Sequence, residues 1–585
     1  MPPSRPTGLR RLGGYVHERR RWVVLLLSCA IGEACAQSGS WLLVRAAING
    51  GIVPRDEQVL ALATAAYVTV SLTGFVLFSF VIRGMTRIGQ EMVLGLRREL
   101  FDHLTSLSLR YFSEQRAGWI IARLTSDVDA ISDVLSQGLT TLVTNTVLLP
   151  AAVAALFIND WRLGMIALVV LPPAIVITRR FQRRSAAAQL EVRNRIAAVT
   201  AQIAESVAGM AIVQSFRREA PFRARFDELN RENRDANFLA QRISSLFFPS
   251  IEFLGVVATI AVLALGAGVL PDSEIGTLAA AYFLLGLVFQ PLQELSDLYS
   301  QLQSASAAMV KISSVLDTES DVRNADRPRD PGRLRGEIEL DGLRFAYGTN
   351  EVLHGIDLVV PAGGCTALVG ESGGGKSTLA KLVARFYDPS EGSVRIDGID
   401  LREFDLRAYR RQLGVVLQDP FLFSGTIADN IRFARPEASD EQVAETAAML
   451  ALDRLARRFP EGLDHPVREG GSGLSAGERQ LISIARALLA DPRILILDEA
   501  TSNIDRPTEL LIERALDRLL HGRTSLIIAH RLSTVQRADE VVTISHGRIA
   551  GRAQPEIPTR LENGEPNTPD GSNRSRTASQ RPSSG

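Results

Sequence analysis

The pattern of apolar positions divides the chain in two. Up to about residue 300 apolar residues come in long unbroken runs; beyond that they form short runs between glycines and charged stretches, as in a soluble α/β protein. A bilayer core about 30 Å thick takes about 20 apolar residues per helix. Six stretches qualify: 22–48, 59–82, 135–158, 162–178, 244–270 and 275–298. The fourth is short and holds Pro172–Pro173, which leaves its inner end open. The connections 83–134 and 179–243 are polar with few breakers, so they read as helices reaching well beyond the bilayer. The pattern predicts an all-α six-helix transmembrane domain over 1–316 and a charged, Pro-rich linker over 317–336. An α/β domain over 337–551 follows, then a disordered tail over 552–585 rich in Pro, Ser, Asn, Arg and Thr.

Arginines orient the spans. Arg10, Arg11, Arg19, Arg20 and Arg21 precede the first, Arg83, Arg87, Arg97 and Arg98 follow the second, and Arg179, Arg180, Arg183 and Arg184 follow the fourth. The other connections are short and carry little beyond Arg55, which predicts a multi-pass protein of the cell (plasma or inner) membrane with both termini and the α/β domain cytosolic. A signal sequence is the competing reading of the first span. Ala34-Cys35-Ala36 imitates a cleavage site and Leu26-Leu27-Ser28-Cys29 a lipoprotein signal, but apolar residues continue through Trp41, Leu42 and Leu43.

Composition changes this picture little. Formal net charge is zero, so nothing global points to nucleic acid. Cys29, Cys35 and Cys365 have no metal-ligand spacing and form no disulfide framework. Of the cations, only Lys311, Lys376 and Lys381 are lysines, so each is a candidate for a specific task. Within the spans, polar residues are candidates for function. Glu33 and Gln37 share a face of the first span; Gln290, Gln293, Glu294 and Asp297 form a stripe low on the sixth, with Glu252 at a similar depth in the fifth. The second set lies where water reaches, and Glu33 suits either a transport path or a buried interhelical hydrogen bond.

The clearest chemistry lies in the second half. The strand pattern Cys365–Val369 leads into Gly370-Glu371-Ser372-Gly373-Gly374-Gly375-Lys376-Ser377, and a helical pattern follows from Thr378. This is G-x-x-x-x-G-K-[ST], a phosphate-binding loop for ATP or GTP: backbone N–H groups wrap the phosphates, Lys376 reaches the outer ones, and Ser377 offers a hydroxyl to Mg²⁺. The apolar run Ile494–Leu497 ends in Asp498 and Glu499. Asp498 suits Mg²⁺ coordination, and Glu499 suits polarisation of the attacking water.

Between these motifs, Leu474-Ser475-Ala476-Gly477-Glu478-Arg479-Gln480 resembles the signature of the ATP-binding cassette (ABC) family, which is close to Leu-Ser-Gly-Gly-Gln. Phe345-Ala346-Tyr347 resembles the aromatic loop that stacks adenine, and Gln418 in Val416–Pro420 the Q-loop glutamine. Glu469-Gly470-Gly471 is similar to the segment facing the membrane domain, Ser502–Asp505 to the D-loop, and His530 to the switch histidine. With the six spans, the resemblance covers nearly the whole chain and is to exporters that fuse both domains. It implies that ATP is held between two subunits. Lys376 and Glu499 come from one chain and Ser475 and Gly477 from the other; Tyr347, residues 370–378 and Asp505 are implied to belong to the nucleotide site. Gln418 and His530 are implied to assist hydrolysis, Gln418 also as an Mg²⁺ ligand. It further implies short coupling helices near Ser113–Gly118 and Phe216–Pro221.

Two departures stand out. Ala476 and Glu478 replace the usual Gly and Gln, although Ser475-x-x-Glu478 also spells a capping box. In heterodimeric relatives a variant signature accompanies an intact catalytic pair, so the partner is a second copy or a related subunit. After Ile549 the family's Gly-Thr-His-like turn and last helix are not recognisable. The expected function is ATP-driven export of lipophilic or amphipathic compounds, drugs or lipids, by a half-transporter. Import, or an ATP-gated channel or regulator, are the alternatives.

Overall fold

A computed structural model describes residues 20–269, 274–452, 458–498, 506–529 and 531–554. The chain forms two compact units, one running to Glu319 and one from Ser320, with Ser108–Arg110 grouped in the second.

The first unit is helical. Its elements are α1 (Arg20–Ala46), α2 (Glu57–Ser106), α3 (Leu109–Glu114), α4 (Ala117–Leu124), α5 (Ser126–Asp133), α6 (Leu139–Asn159), α7 (Trp161–Ala208), α8 (Met210–Ser215), α9 (Glu219–Val269) and α10 (Ile275–Leu316). Asp56 and Asp160 cap α2 and α7, each accepting from two backbone N–H groups of the first turn. Five helical stretches among the described residues are long and apolar enough to cross a membrane, and α10 holds a further, shorter apolar stretch, Ile275–Pro291.

Pro172 and Pro173 do not end α7, which runs on to Ala208. The missing N–H bonds are tolerated because α7 lies along α9: Ala174 and Ile251 are fully buried, Phe181 stacks on Phe247 with centroids 4.0 Å apart, and Arg195 pairs with Glu232 at 2.5 Å. The short helices α3 and α8 fall a few residues before the expected coupling segments. Below the spans, α5 and α10 are joined through Asp127, which pairs with buried Arg123 and, at 3.4 Å, with Lys311. That ion pair is the task of one of the rare lysines.

The second unit holds β1 (Ile338–Tyr347), β2 (Asn350–Val360), β3 (Cys365–Val369), β4 (Glu391–Ile396), β5 (Ile399–Asp400), β6 (Leu413–Val416), β7 (Gly425–Thr426), β8 (Pro466–Val467), β9 (Ile494–Asp498), β10 (Thr524–Ile528), β11 (Glu540–Ser545) and β12 (Arg548–Ala553). Its main helices are α11 (Lys376–Val383), α12 (Ile427–Arg432), α13 (Asp440–Met449), α14 (Ala476–Ala490) and α15 (Arg506–Leu520). The central sheet runs β12-β11-β3-β10-β9-β6, parallel except for β12; an antiparallel sheet runs β2-β1-β4-β5. Alternation along the central strands feeds two cores. Leu368, Ile494, Ile496, Leu526 and Ile528 face the antiparallel sheet and α11, whereas Ala367, Leu495, Leu497 and Ile527 face the layer of α12 to α15. Burial on both faces is why these strands read as continuous apolar runs.

Candidate nucleotide site

Parallel register brings the carboxyl ends of the central strands level. Leu368 of β3 and Asp498 of β9 both pair with Ile528 of β10, and Val416 of β6 pairs with Leu497. The phosphate loop after β3, Asp498, and Gln418 two residues beyond β6 therefore leave one edge of the sheet. This is where open α/β sheets bind ligands.

The loop has a glycine-dependent path. Gly370, Gly373 and Gly375 have φ of 136°, 82° and 104°, which side chains rarely adopt. At Gly370 a Cβ would also stand 2.0 Å from the Ile544 carbonyl oxygen, so β11 excludes any larger residue. Lys376 opens α11 and is 95% buried (5% exposed). Its Nζ donates to the carbonyls of Gly370 at 2.9 Å and Glu371 at 2.8 Å, so the ammonium lies inside the loop's curve. Glu371, Ser372, Gly373 and Ser377 are exposed, Gly374 and Thr378 buried. Tyr347 is half-buried, edge-on to Phe345 and Tyr387, with its hydroxyl 3.5 Å from Thr378 Oγ1. It thus stands over the start of α11.

Ser475 caps α14, in the layer that packs on β6, three strands from β3 in the sheet order. Its hydroxyl accepts from Glu478 N–H at 3.3 Å, and its own N–H donates to Glu478 Oε2 at 2.7 Å. Arg458 Nη1 donates to Glu478 Oε1 at 2.5 Å. The departure at Glu478 is therefore a charged, paired capping box turned back on its own helix; Gly477 is buried behind it, and Ala476 is exposed. Sequence reasoning missed Arg458, which has no motif to mark it. It also missed Arg486 on α14, which donates to Asn430 O at 2.9 Å, Asn430 Oδ1 at 2.9 Å and Phe421 O at 3.2 Å, with its guanidinium over Phe433. Burial lowers the pKa of Arg486, and its three acceptors hold the segment after Gln418 to α14. Glu499, Asp505 with the rest of 502–505, His530 and the tail beyond 554 lie outside the described residues.

In the first unit, Glu33 and Gln37 line one cleft together with Gln290 and Glu294. Glu252 and Asp297 are exposed on the single chain. Arg45 is committed structurally, donating to the Asn159 carbonyl at 2.6 Å. Asn145, which sequence reasoning also passed over, donates to Glu294 at 2.8 Å; an amide inside an apolar run was the available signal.

Two family descriptions match: "ABC transporter transmembrane region" over residues 22–292 and "ABC transporter" over 353–502. The chain is 35% identical to an uncharacterized ABC transporter ATP-binding protein of Bacillus subtilis, over 92% of this chain and 90% of that protein. It is 33% identical to the ATP-dependent lipid A-core flippase of Syntrophus aciditrophicus, over 90% and 88%. A multidrug efflux ATP-binding/permease protein of Mycobacterium bovis is 37% identical over 94% of this chain, which spans only 46% of that longer protein. A bacterial Atm1-family ABC exporter solved with ATP bound superposes with a TM-score of 0.77 at 28% identity, covering 92% of this chain and 95% of that one. The chain belongs to the ATP-binding cassette transporter family. It is a membrane protein of the exporter fold, a half-transporter that couples ATP hydrolysis to transport.

Proposed function

We propose that the chain works as a dimer in the cell membrane, with its ATPase unit in the cytosol, and carries lipophilic or amphipathic compounds outward. The observation that carries this is a membrane unit and an ATPase unit fused in one chain that matches an exporter over 92% of its length. Export is favoured over import because the named relatives are an efflux protein and a flippase.

In this reading Lys376 and the loop 370–378 bind the ATP phosphates and Tyr347 bears on the adenine. Ser377, Asp498 and Gln418, gathered at one sheet edge, fit a magnesium ion: a hydroxyl, a carboxylate and an amide oxygen suit a hard cation. The ion, when bound, supplies charge neutralisation at the phosphate oxygens. Glu499 polarises the attacking water and His530 and Gln418 assist. Ser475, Gly477 and Asp505 of a second subunit close the composite site. The paired Glu478 supports a second copy of this chain as that subunit, since its charge is answered by Arg458.

The test is ATP hydrolysis by this chain alone in lipid nanodiscs, with Glu499→Gln as the blank. Activity well above the blank establishes a working homodimer. Hydrolysis by both proteins no higher than in empty nanodiscs, from protein that still binds ATP, means that a different subunit is required. Hydrolysis by Glu499→Gln well above that of empty nanodiscs and equal to wild type would remove Glu499 from the chemistry.

A further inference from the structure

Helices α1, α2, α6 and α10 enclose a cleft of about 370 Å³ in the membrane unit, a volume within the range of small-molecule sites. Two carboxylates line it, and they are held differently. Glu294 accepts from Asn145 Nδ2 at 2.8 Å and from Gln290 Nε2 at 2.9 Å, both neutral donors. Glu33 is only 8% exposed, lines the cleft, and makes no hydrogen bond or ion pair with any described residue. The Thr144 hydroxyl on the same wall is buried without a partner as well.

Among the described residues no arginine, lysine or histidine lines this cleft, so none of them answers its carboxylates with a cation. An ionised carboxylate within a span is costly unless something answers it. A metal ion is a poor answer: among the described residues no group of three or more His, Cys, Asp or Glu could hold one. The remaining lining mixes neutral polar groups, Gln37, Ser40 and Ser71, with the apolar and aromatic Val70, Phe75, Phe78 and Leu148. Aromatic faces attract organic cations and cover their apolar parts.

We propose that this cleft is a binding site for amphipathic organic cations, whose positive centre sets against Glu33 and Glu294 while the apolar body lies on Phe75 and Phe78. The proposal rests on the transporter reading and names a substrate class for it. Glu33 supplies the uncompensated charge; Glu294, fixed by Asn145 and Gln290, supplies the second and orients the ligand along α10.

The experiment is equilibrium binding of tetraphenylphosphonium to the full-length protein in nanodiscs without nucleotide, with empty nanodiscs subtracted. Tetraphenylborate, of nearly the same size and opposite charge, is the comparison. The wild type is expected to bind the phosphonium at least about tenfold tighter than the borate. Glu33→Gln should lose about that factor for the phosphonium alone, and Glu33→Asp should recover part of it. Equal binding of the two ions overturns the proposal, with no variant needed. So does unchanged phosphonium affinity in Glu33→Gln, which would leave a proton or the fold as the partner of Glu33. Binding of a fluorescent ATP analogue checks that each variant is folded. Glu499-dependent hydrolysis, measured on the same samples without phosphonium, reads the transporter assignment separately: intact hydrolysis with no charge preference in binding sinks the cation site alone.

Discussion

The Glu478 carboxylate accepts the backbone N–H of Ser475 at 2.7 Å, while the Ser475 hydroxyl accepts the N–H of Glu478 at 3.3 Å. Arg458 holds the other carboxylate oxygen at 2.5 Å. The signature residue that departs from the family pattern is thus occupied in starting its own helix. Glu478→Gln should keep the cap and leave ATP hydrolysis within a few-fold of wild type. Glu478→Ala removes half of the box and should destabilise the ATPase unit by about 1 kcal/mol, read by chemical denaturation. If Glu478→Gln raised hydrolysis by orders of magnitude, the carboxylate would be acting on the nucleotide instead.

The phosphate loop and β11 fit with no room to spare. Gly370→Ala combines a φ of 136° with a Cβ 2.0 Å from the Ile544 carbonyl oxygen, and should cost about 3 kcal/mol or more. Loss of both stability and ATP binding is expected. Lys376→Ala should weaken ATP at least about tenfold with the unit still folded, which a fluorescent ATP analogue would measure. Unchanged affinity in Lys376→Ala would count against the loop.

Arg486 holds the chain after Gln418 through three acceptors, Asn430 O, Asn430 Oδ1 and Phe421 O. Arg486→Ala should destabilise the ATPase unit by about 2–4 kcal/mol, since hydrogen bonds to charged groups are worth about 1.5–3 kcal/mol each and are not additive. Arg486→Lys should rescue little, because one ammonium cannot span the acceptors of a planar fork. Thermal unfolding in detergent orders the two variants against wild type.

Cys365 begins β3, its N–H donating to Asp539 Oδ2 at 2.8 Å. Burial first, and the Asp539 carboxylate second, push its thiol up to about 12. A raised thiol pKa favours the neutral form, so the nucleophilic thiolate is scarce at neutral pH and grows as pH climbs towards that value. In a Cys29→Ser, Cys35→Ser background, iodoacetamide at pH 8 should label the folded protein on the order of a thousandfold more slowly than the urea-unfolded chain. Equal rates would mean that β3 is open at this edge.

What could be read in advance depended on distance along the chain. The phosphate loop was legible because its glycines, Lys376 and Ser377 are neighbours, and strand and helix patterns flank them. The capping box of Ser475 and Glu478 was legible for the same reason. Arg458 and Arg486 were not, because their partners lie 20 and 56 residues away. Pro172–Pro173 left the end of a helix open, as local rules say; packing of α7 along α9 overrode them. Asn145 was passed over because its partner, Glu294, comes from another helix 149 residues on.

By itself the sequence determined the apolar spans, the alternating strands of the ATPase sheet and the order of its motifs, all set by burial periodicity and backbone conformations within a few residues. Only the tertiary structure decided which strand ends meet at one edge, that Glu478 answers to Arg458, and that Glu33 faces a cleft whose described lining residues carry no cation. These depend on residues far apart in the chain being brought together, and only packing brings them there.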